Sequence, residues 1–236
     1  METTMKKAAF IIGASMIPAA ASFAAPSFFT SSEDTDGPGY TYVQGQYIPQ
    51  GKLENAQGGD DKDYDGYGFD VSYEFPANLI LQGGYDRLEL SNSSIDVNRA
   101  NVGLGTHYFI DYGGAEDTGV DIYGLGSYER LEFRNAVGGD DATGTGYSIT
   151  AGLRWMVDPQ VEINPHAKWV DYGSISGGQA SYGSPDGFEY GLQLVGYLSE
   201  DQHLALTAGY DRTDVDYGPQ DANFRNEVSV GARLNF

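Results

Sequence analysis

A strict alternation of apolar and polar residues ends the chain and limits what it can fold into. From Val228 to Phe236 every second residue is apolar, and the residues between them are polar, charged or glycine. A period of two predicts a β-strand whose two faces meet different environments. The strand of about ten residues is long for a soluble domain, where ~5–6 is typical, but it suits a tilted strand that crosses a bilayer.

The same alternation recurs along the chain from Tyr40 onward. Short turns and longer, often acidic connections alternate between the segments, as in an up-and-down barrel that crosses a membrane. Gly124 and Gly126 leave the register of the fifth segment open, because glycines permit a bulge. The pattern predicts an all-β fold without helices, an antiparallel up-and-down transmembrane β-barrel of about ten strands, with eight as the alternative. The strands are expected at residues 40–50, 66–75, 79–90, 97–110, 119–134, 145–157, 160–172, 187–198, 203–213 and 223–236.

The N-terminus has the order of parts of a secretory signal peptide. Lys6 and Lys7 precede an apolar run over residues 8–21, and Ala24 closes a small-x-small cleavage site. A cleaved signal is therefore favoured over a retained anchor helix. The expected divisions are a signal peptide over 1–24, a flexible leader over 25–39 and the barrel over 40–236.

Composition excludes several classes of function. With 13 Lys and Arg against 34 Asp and Glu the net charge is −21, so there is no basic patch for nucleic acid. The chain has no cysteine, which removes disulfides and thiolate metal sites. Beyond the signal, no apolar run approaches the ~18 residues of a transmembrane helix. We expect no nucleic-acid partner.

The alternation alone does not say whether the apolar face meets lipid or the core of a soluble β-sandwich. Aromatic residues recur near the ends of the apolar faces, as in the paired aromatic girdles of membrane barrels. Together with the export signal and the long strands, they favour lipid. The girdle residues are expected to be Phe75, Tyr85, Tyr108, Trp155, Trp169, Tyr190, Tyr210 and Phe236.

The polar faces must then line the lumen, and they carry charges of both signs. In a barrel of eight to ten strands the interior is about wide enough for side chains to fill. One interpretation is a plugging network of ion pairs and hydrogen bonds; the other is a narrow channel whose selectivity these charges set. The predicted lumen network is Arg99, His107, Arg154, Glu162, His166, Lys168, Glu189, Arg225, Glu227 and Arg233.

Four segments carry a family resemblance: Tyr40–Tyr47, Asp63–Gly68, Leu81–Tyr85 and Arg99–Gly105. With them the chain, from about Tyr40 to its end, resembles small outer-membrane β-barrels of the opacity-protein and OmpA-membrane-domain type. It is most similar to a family of bacterial outer-membrane proteins once proposed as secreted quorum or plant-immunity factors. The resemblance implies a barrel in the outer membrane and transfers no catalytic residue.

The terminal Phe236 resembles the C-terminal signal that the outer-membrane assembly machinery of Gram-negative bacteria reads. The partners implied are that machinery, periplasmic chaperones, and the lipid and lipopolysaccharide of the outer membrane. Arg87 and Arg212 lie just beyond two outward tyrosines near the extracellular rim. They are candidates for bidentate pairing with lipopolysaccharide phosphates, and the alternative is an ordinary charge at the water boundary.

The acidic segment Gly51–Asp65 departs from the shorter first loops of the family. Within it Asp61, Asp63 and Asp65 match the opening of a calcium loop, but Ser72 stands where the closing Glu is required. Calcium is therefore a weak candidate, and a solvated acidic loop is the alternative. No other cofactor is expected.

An outer-membrane hydrolase would need a histidine beside a nucleophile or a carboxylate pair at the loop rim. Asp60, Asp61, Asp140 and Asp141 offer carboxylates, but the histidines map elsewhere. We therefore expect no enzyme. The sequence predicts a monomeric barrel with acidic extracellular loops and a structural or surface-interaction role, and a narrow porin-like channel for small solutes is the alternative.

Overall fold

The barrel region of the chain consists almost entirely of long antiparallel strands in this computed structural model. The structure describes residues 38–54, 61–111, 118–135, 139–177, 180–181, 183–216 and 223–236. The predicted signal peptide and the leader up to residue 37 lie outside the described residues. The strands are β1 (Tyr42–Leu53), β2 (Lys62–Phe75), β3 (Leu79–Leu90), β4 (Asp96–Asp111), β5 (Gly119–Arg134), β6 (Ala142–Asp158), β7 (Val161–Asp171), β8 (Ser176–Gly177), β9 (Ala180–Ser181), β10 (Asp186–Tyr197), β11 (Leu204–Asp216) and β12 (Phe224–Asn235).

Ten of these strands close into a barrel. The order β5-β4-β3-β2-β1-β12-β11-β10-β7-β6 is completed by pairing of β5 with β6, so every barrel strand has two neighbours. The remaining two, β8 and β9, form a small hairpin that touches β6 through Thr143 and Ser176. The predicted all-β, up-and-down antiparallel barrel of ten strands is confirmed. Within the described residues no helix is long and apolar enough to cross a membrane.

The barrel has two unlike ends. The turn end holds the first residues of β1, the last residue Phe236 and short connections such as residues 76–78 and 159–160. The loop end holds the connections 54–61, 91–95, 135–141, 172–185 and 217–223. Several strands reach further toward the loop end than predicted: Lys52 pairs with Asp63 inside the segment expected to be a loop. In these loop-end extensions the outward residues of the strands are polar, so the alternation of apolar and polar residues ends before the strands end.

The register of β5, which the sequence left open, is regular in the structure. β4 and β5 pair without interruption from Asp96 opposite Arg134 to Asp111 opposite Gly119, so the glycines of β5 form no bulge. Irregularities occur instead in the pairings of β1 with both of its neighbours and at the turn end of the pairing of β6 with β7. The pairing of β1 with β12 shifts after Tyr47, and Asn226 of β12 has a positive φ of 54°.

The outer face is apolar around the whole barrel. Its middle exposes aliphatic side chains, and aromatic residues lie toward both ends. Tyr67 and Phe75, one from each aromatic belt, are roughly 26 Å apart along β2 at ~3.3 Å per residue. Of the predicted girdle, only Trp169 is half-buried, packed at 5.6 Å from the ring of Tyr147. The loop-side belt comprises Tyr47, Tyr67, Tyr85, Tyr128, Tyr147, Tyr190 and Tyr210, and the turn-side belt Phe75, Tyr108, Trp155 and Phe236.

Candidate functional site in the barrel interior

The inward faces of the strands build three layers along the barrel axis. We call them the turn-end cluster, around Arg154 and His107; the chamber, around Lys168 and His166; and the loop-end layer, a set of apolar side chains. All three follow from the alternation, which sends one side chain in two to the interior.

The turn-end cluster contains a fully buried ion pair. Arg154 of β6 donates from Nε and Nη2 to the two carboxylate oxygens of Glu162 on β7, both at 2.7 Å. The hydroxyl of Tyr197 donates to the same carboxylate at 2.7 Å. The side chains of Arg154 and Glu162 are only 2% and 0% exposed. A pair so deeply buried is tolerable because its geometry is bidentate and the remaining lone pairs are satisfied.

His107 and Arg233 extend this cluster across the barrel. His107 lies between two carboxylates, with Nδ1 2.7 Å from Asp121 and Nε2 3.2 Å from Glu74. Arg233 donates to the amide oxygens of Gln44 at 3.0 Å and Gln193 at 2.6 Å. Asp121 and Glu74 were not among the predicted lumen residues, because partners on other strands follow only from the register.

The chain enters the barrel through this cluster. Arg154 donates from Nη1 to the carbonyl oxygens of Pro38 at 3.2 Å and Gly39 at 2.9 Å. The ring of Tyr40 lies 4.5 Å from the Arg154 guanidinium carbon and 4.4 Å from the His107 ring. Burial raises the pKa of the Tyr40 phenol above its ordinary value. The end of the predicted flexible leader is thus held inside the turn-end mouth.

The chamber is polar and has a volume of about 240 Å³. Lys168 of β7 lies between Glu189, at 2.5 Å, and Glu129, at 3.5 Å. His166 lies 3.1 Å from Asp211. The chamber is lined by these charged groups together with amide and hydroxyl side chains such as Gln46.

A third ion-pair group joins the chamber to the loop end. Arg99 contacts Glu227 at 2.8 Å and Asp86 at 3.1 Å. Tyr64 donates to Glu227 at 2.7 Å, and the ring of Phe224 lies 5.4 Å from the Arg99 guanidinium carbon. Tyr64 and Phe224 also belong to the loop-end layer, so the charged and apolar layers are joined.

The loop-end layer fills the barrel with apolar side chains. Its members come from the inward faces of most strands and from the segment after β7, and they are nearly all without solvent exposure. This layer was not predicted from the sequence, because its residues fall on the side of the alternation that is polar elsewhere. The layer consists of Ile48, Tyr64, Leu88, Leu90, Val97, Leu131, Ala142, Val170, Tyr172, Ile175, Val215 and Phe224.

Arg225 is the predicted lumen residue that the structure places apart from the others. The irregularity at Asn226 turns Phe224 inward, and Arg225 instead pairs with Glu54 at 2.7 Å. Both side chains are about one-third exposed, at 35% and 32%. The other nine predicted residues lie in the interior contacts described above.

A repeated sequence motif explains part of the interior. Each copy places a tyrosine outward, an acid inward and an arginine outward on consecutive residues. The inward acids Asp86, Glu129 and Asp211 contact Arg99, Lys168 and His166. The copies are Tyr85–Arg87, Tyr128–Arg130 and Tyr210–Arg212.

Glycines on neighbouring strands give two of these acids, Asp86 and Asp211, their space. A Cβ built at Gly68 would collide with the carboxylate of Asp86, and one at Gly191 would collide with that of Asp211. At these two positions the absence of a side chain on the facing residue makes room for the inward carboxylate.

The remaining predicted residues lie on or near the outer surface. Arg87 contacts Asp96 at 2.9 Å and Glu89 at 3.8 Å, whereas Arg212 has no ion pair within the described part of the chain. Asp61, Asp63 and Asp65 are exposed at the loop end. The described residues contain no group of three metal-binding side chains that could hold an ion. Phe236 is exposed at the turn end, and its backbone nitrogen donates to Thr41 at 3.0 Å.

Comparison with known proteins returns barrels of low sequence identity. No protein-family model and no curated protein matches the chain. Among solved structures, the chain is similar to Neisserial surface protein A, with 16% identity and a TM-score of 0.40 over 83% of this chain and 96% of that one. The translocator domain of the autotransporter NalP from Neisseria meningitidis gives 19% identity and a TM-score of 0.46, over 86% and 90%. An outer-membrane channel from Pseudomonas putida F1 gives 10% and 0.44, over 88% and 100%.

These similarities add no argument beyond the fold that the strands themselves show. The resemblance to the opacity-protein type, and to the family once proposed as quorum factors, stays a prediction.

Proposed function

We propose that the chain is an integral outer-membrane β-barrel whose interior is filled by its own residues, and that it has a structural or surface-interaction role. One observation carries the proposal: the barrel exposes apolar side chains all around and pairs its charges inside. A water-soluble barrel needs the opposite arrangement, since an apolar surface of this extent would aggregate. An outer-membrane barrel has an apolar band about 25 Å tall between aromatic girdles.

The proposed orientation puts the turn end in the periplasm and the loop end outside the cell. Short periplasmic turns and longer extracellular loops support it. Acidic residues such as Asp63, Glu89 and Asp214 then lie at the cell surface. Export would use the signal peptide over 1–24, and periplasmic chaperones and the assembly machinery would recognise the last strand with Phe236. We propose that the protein is a monomer, because the apolar outer face is suited to contact with lipid around the whole barrel.

The decisive test is refolding into lipid vesicles followed by gel mobility with and without boiling, and by planar-bilayer recording. We expect a heat-modifiable barrel that passes no steady current, because the loop-end layer and the turn-end cluster both close the lumen. Steady unitary currents would overturn the closed interior and favour the narrow channel. A chain that stays water-soluble and compact without lipid would overturn the membrane location.

The histidines support a non-enzymatic role. His107 lies in the turn-end cluster, His166 lines the chamber, and His203 follows β10 at the turn end. A hydrolase at the loop rim needs a general base within hydrogen-bond reach of its nucleophile, and these positions lie away from that rim. Hydrolysis of lipid or peptide by the refolded barrel would contradict this proposal.

We also propose lipopolysaccharide as a partner of the outward arginines. Arg212 is the better candidate, since Arg87 already contacts Asp96 and Glu89. The Arg212→Ala variant should lose more of the stability gained from lipopolysaccharide than the matched Arg87→Ala variant, measured by urea unfolding in bilayers with and without lipopolysaccharide. If both variants lose the same stability, or if neither loses any, Arg212 is an ordinary charge at the water boundary.

Calcium at Asp61, Asp63 and Asp65 stays a weaker proposal. The same unfolding assay, carried out with added calcium or with a chelator, tests it.

A further inference from the structure

The two mouths of the barrel are closed by different parts of the chain, and only one closure can be removed. We propose that the segment Pro38–Tyr40 is a stopper, and that the chamber behind it is a blind polar pocket that opens to the turn end alone. The pocket would then admit small water-soluble molecules from the periplasmic side without forming a pore. This inference goes beyond the structural role proposed above and needs only the closed barrel.

The segment is not part of the barrel wall. Strand pairing begins at Tyr42, which lies opposite Asn235 on one side and Ser72 on the other. Just before it, Thr41 is fastened to the rim: its carbonyl accepts from the Phe236 nitrogen, and its hydroxyl accepts from the Glu74 nitrogen at 3.2 Å. The residues before Thr41 can therefore leave the mouth without breaking any pairing of the wall.

The segment is held by contacts of its own that the wall does not need. Arg154 binds the carbonyl oxygens of Pro38 and Gly39, and the Tyr40 ring packs on the Arg154 guanidinium and on His107. The Tyr40 nitrogen donates to Glu74 at 3.3 Å. If the segment leaves, Arg154 keeps both of its hydrogen bonds to Glu162, so the buried charge stays paired.

Tyr40 stands between the turn-end mouth and the chamber. It lines the chamber together with Arg154, Tyr123 and Leu125. The same ring belongs to a small apolar cluster with Ile80 and Leu125 at the turn end. Removing this ring joins the chamber to the mouth.

The opposite mouth offers no such exit. Apart from Tyr172 and Ile175, which follow β7, the loop-end layer is made of inward side chains from strands of the wall, including Leu88, Leu131 and Val170. Opening it would require the strands themselves to separate. Release of the stopper thus gives a pocket with one entrance, and the volume of the chamber, about 240 Å³, limits its content to small polar molecules.

The chain lacks cysteine, so single cysteines can report access to each layer. Ser127→Cys places a thiol in the chamber, Leu131→Cys in the loop-end layer, Ser199→Cys in the turn β10–β11 and Ser93→Cys in the loop β3–β4. Each is made in the full chain, refolded into vesicles and treated with a small, charged, membrane-impermeant methanethiosulfonate. Modification is followed by mass spectrometry, with and without Tyr40→Ala.

We expect Tyr40→Ala to speed modification of Ser127→Cys by about tenfold or more, because a desolvated cation–π contact and its ring are lost. Leu131→Cys should stay slow in both backgrounds. Tyr40→Phe, which keeps the ring, is the matched control and should leave Ser127→Cys slow. Labelling at Ser199→Cys measures the fraction of barrels whose turn end faces the outside of the vesicle, and labelling at Ser93→Cys measures the fraction with the opposite orientation. The fraction labelled at Ser127→Cys should equal the fraction labelled at Ser199→Cys and differ from the fraction labelled at Ser93→Cys.

An unchanged rate at Ser127→Cys in a heat-modifiable Tyr40→Ala barrel would overturn the stopper. Steady currents through Tyr40→Ala barrels, or labelling that follows Ser93→Cys, would overturn the single entrance. If Tyr40→Ala does not refold, Tyr40→Leu keeps apolar volume without the cation–π contact and should give a smaller increase, whereas no increase would overturn the stopper. Failure to insert into lipid at all would count against the proposed membrane location instead.

Discussion

The loop end and the turn end close the same barrel by opposite means. The loop-end layer uses mainly apolar side chains that belong to the strands of the wall, so its closure is tied to the stability of the wall. The turn end uses the Arg154–Glu162 pair, His107 with its carboxylates, and a short segment that precedes the first strand. A barrel can thus make one mouth permanent and leave the other adjustable, even though both look filled.

The largest expected effect tests the turn-end charges. Glu162→Ala leaves the Arg154 guanidinium buried without its partner, which should lower the free energy of unfolding by about 3–5 kcal/mol. Urea unfolding in lipid vesicles measures it. Replacing both residues, as in Arg154→Met with Glu162→Leu, should cost less than Glu162→Ala alone. A double variant as unstable as the single one would show that the pair does not act as a unit.

The next effect tests the loop-end layer. Leu131→Ala removes a fully buried side chain and leaves a cavity, so it should cost about 2–5 kcal/mol in the same unfolding assay. Leu104→Ala on the exposed outer face is the control, and it should cost less because lipid fills the space. Equal costs at the two positions would mean that the layer is not tightly packed.

A smaller effect separates the interior from the rim. Arg99→Ala strips Glu227 and Asp86 of their cation and should cost about 1.5–3 kcal/mol. Arg225→Ala breaks a pair that is one-third exposed, and such pairs contribute about 0–1 kcal/mol. Urea midpoints of the two variants give the comparison. If Arg225→Ala lowers the free energy of unfolding as much as Arg99→Ala does, Arg225 belongs to the interior network after all.

The smallest effect lies outside the barrel wall at the turn end. The Ser199 hydroxyl, and secondarily the backbone nitrogen of His203, hold the pKa of Asp201 below its ordinary value. A carboxyl group whose pKa is lower in the folded than in the unfolded chain stabilises the fold at pH values above the unfolded-state pKa. This stabilisation is lost as the pH falls through the folded-state pKa. Ser199→Ala should raise the Asp201 pKa toward the ordinary range, followed by carboxyl chemical shifts in micelles. An unchanged pKa would rule out the hydroxyl as the main cause.

Much of the fold could be predicted because an apolar outer face and a largely polar inner face impose one alternation on every strand. The final strand and the segment around Trp155 show the alternation most clearly, and the structure has both as barrel strands. The outward residues near the loop end do not follow this alternation, so the strand ends near Leu53, Lys62 and Ala142 were predicted as loop. Strand number and direction follow from the alternation, whereas the length of the strands at the loop end does not.

The interior could be predicted only as a list of charges. Arg154 and Glu162 lie on consecutive strands across a short turn, so their pairing follows from the hairpin. The contact of Arg99 with Glu227 joins strands far apart in the sequence and requires the barrel register. The positive φ at Asn226, which turns Phe224 inward, leaves no trace in the alternation. The loop-end layer was not predicted because its residues are apolar on the side of the strands that was expected to be polar.

The space that Gly68 leaves for Asp86, and Gly191 for Asp211, has a consequence for how this barrel can diverge. A methyl group added at either glycine would force the facing carboxylate to move, and losing the carboxylate alone removes one of the two acids that contact Arg99, or the acid that contacts His166. Glycine, acid and basic residue therefore form triplets spread over neighbouring strands, and we expect the acid to change before the glycine is replaced. Homologous chains should show these positions varying together, even though they lie far apart in the sequence.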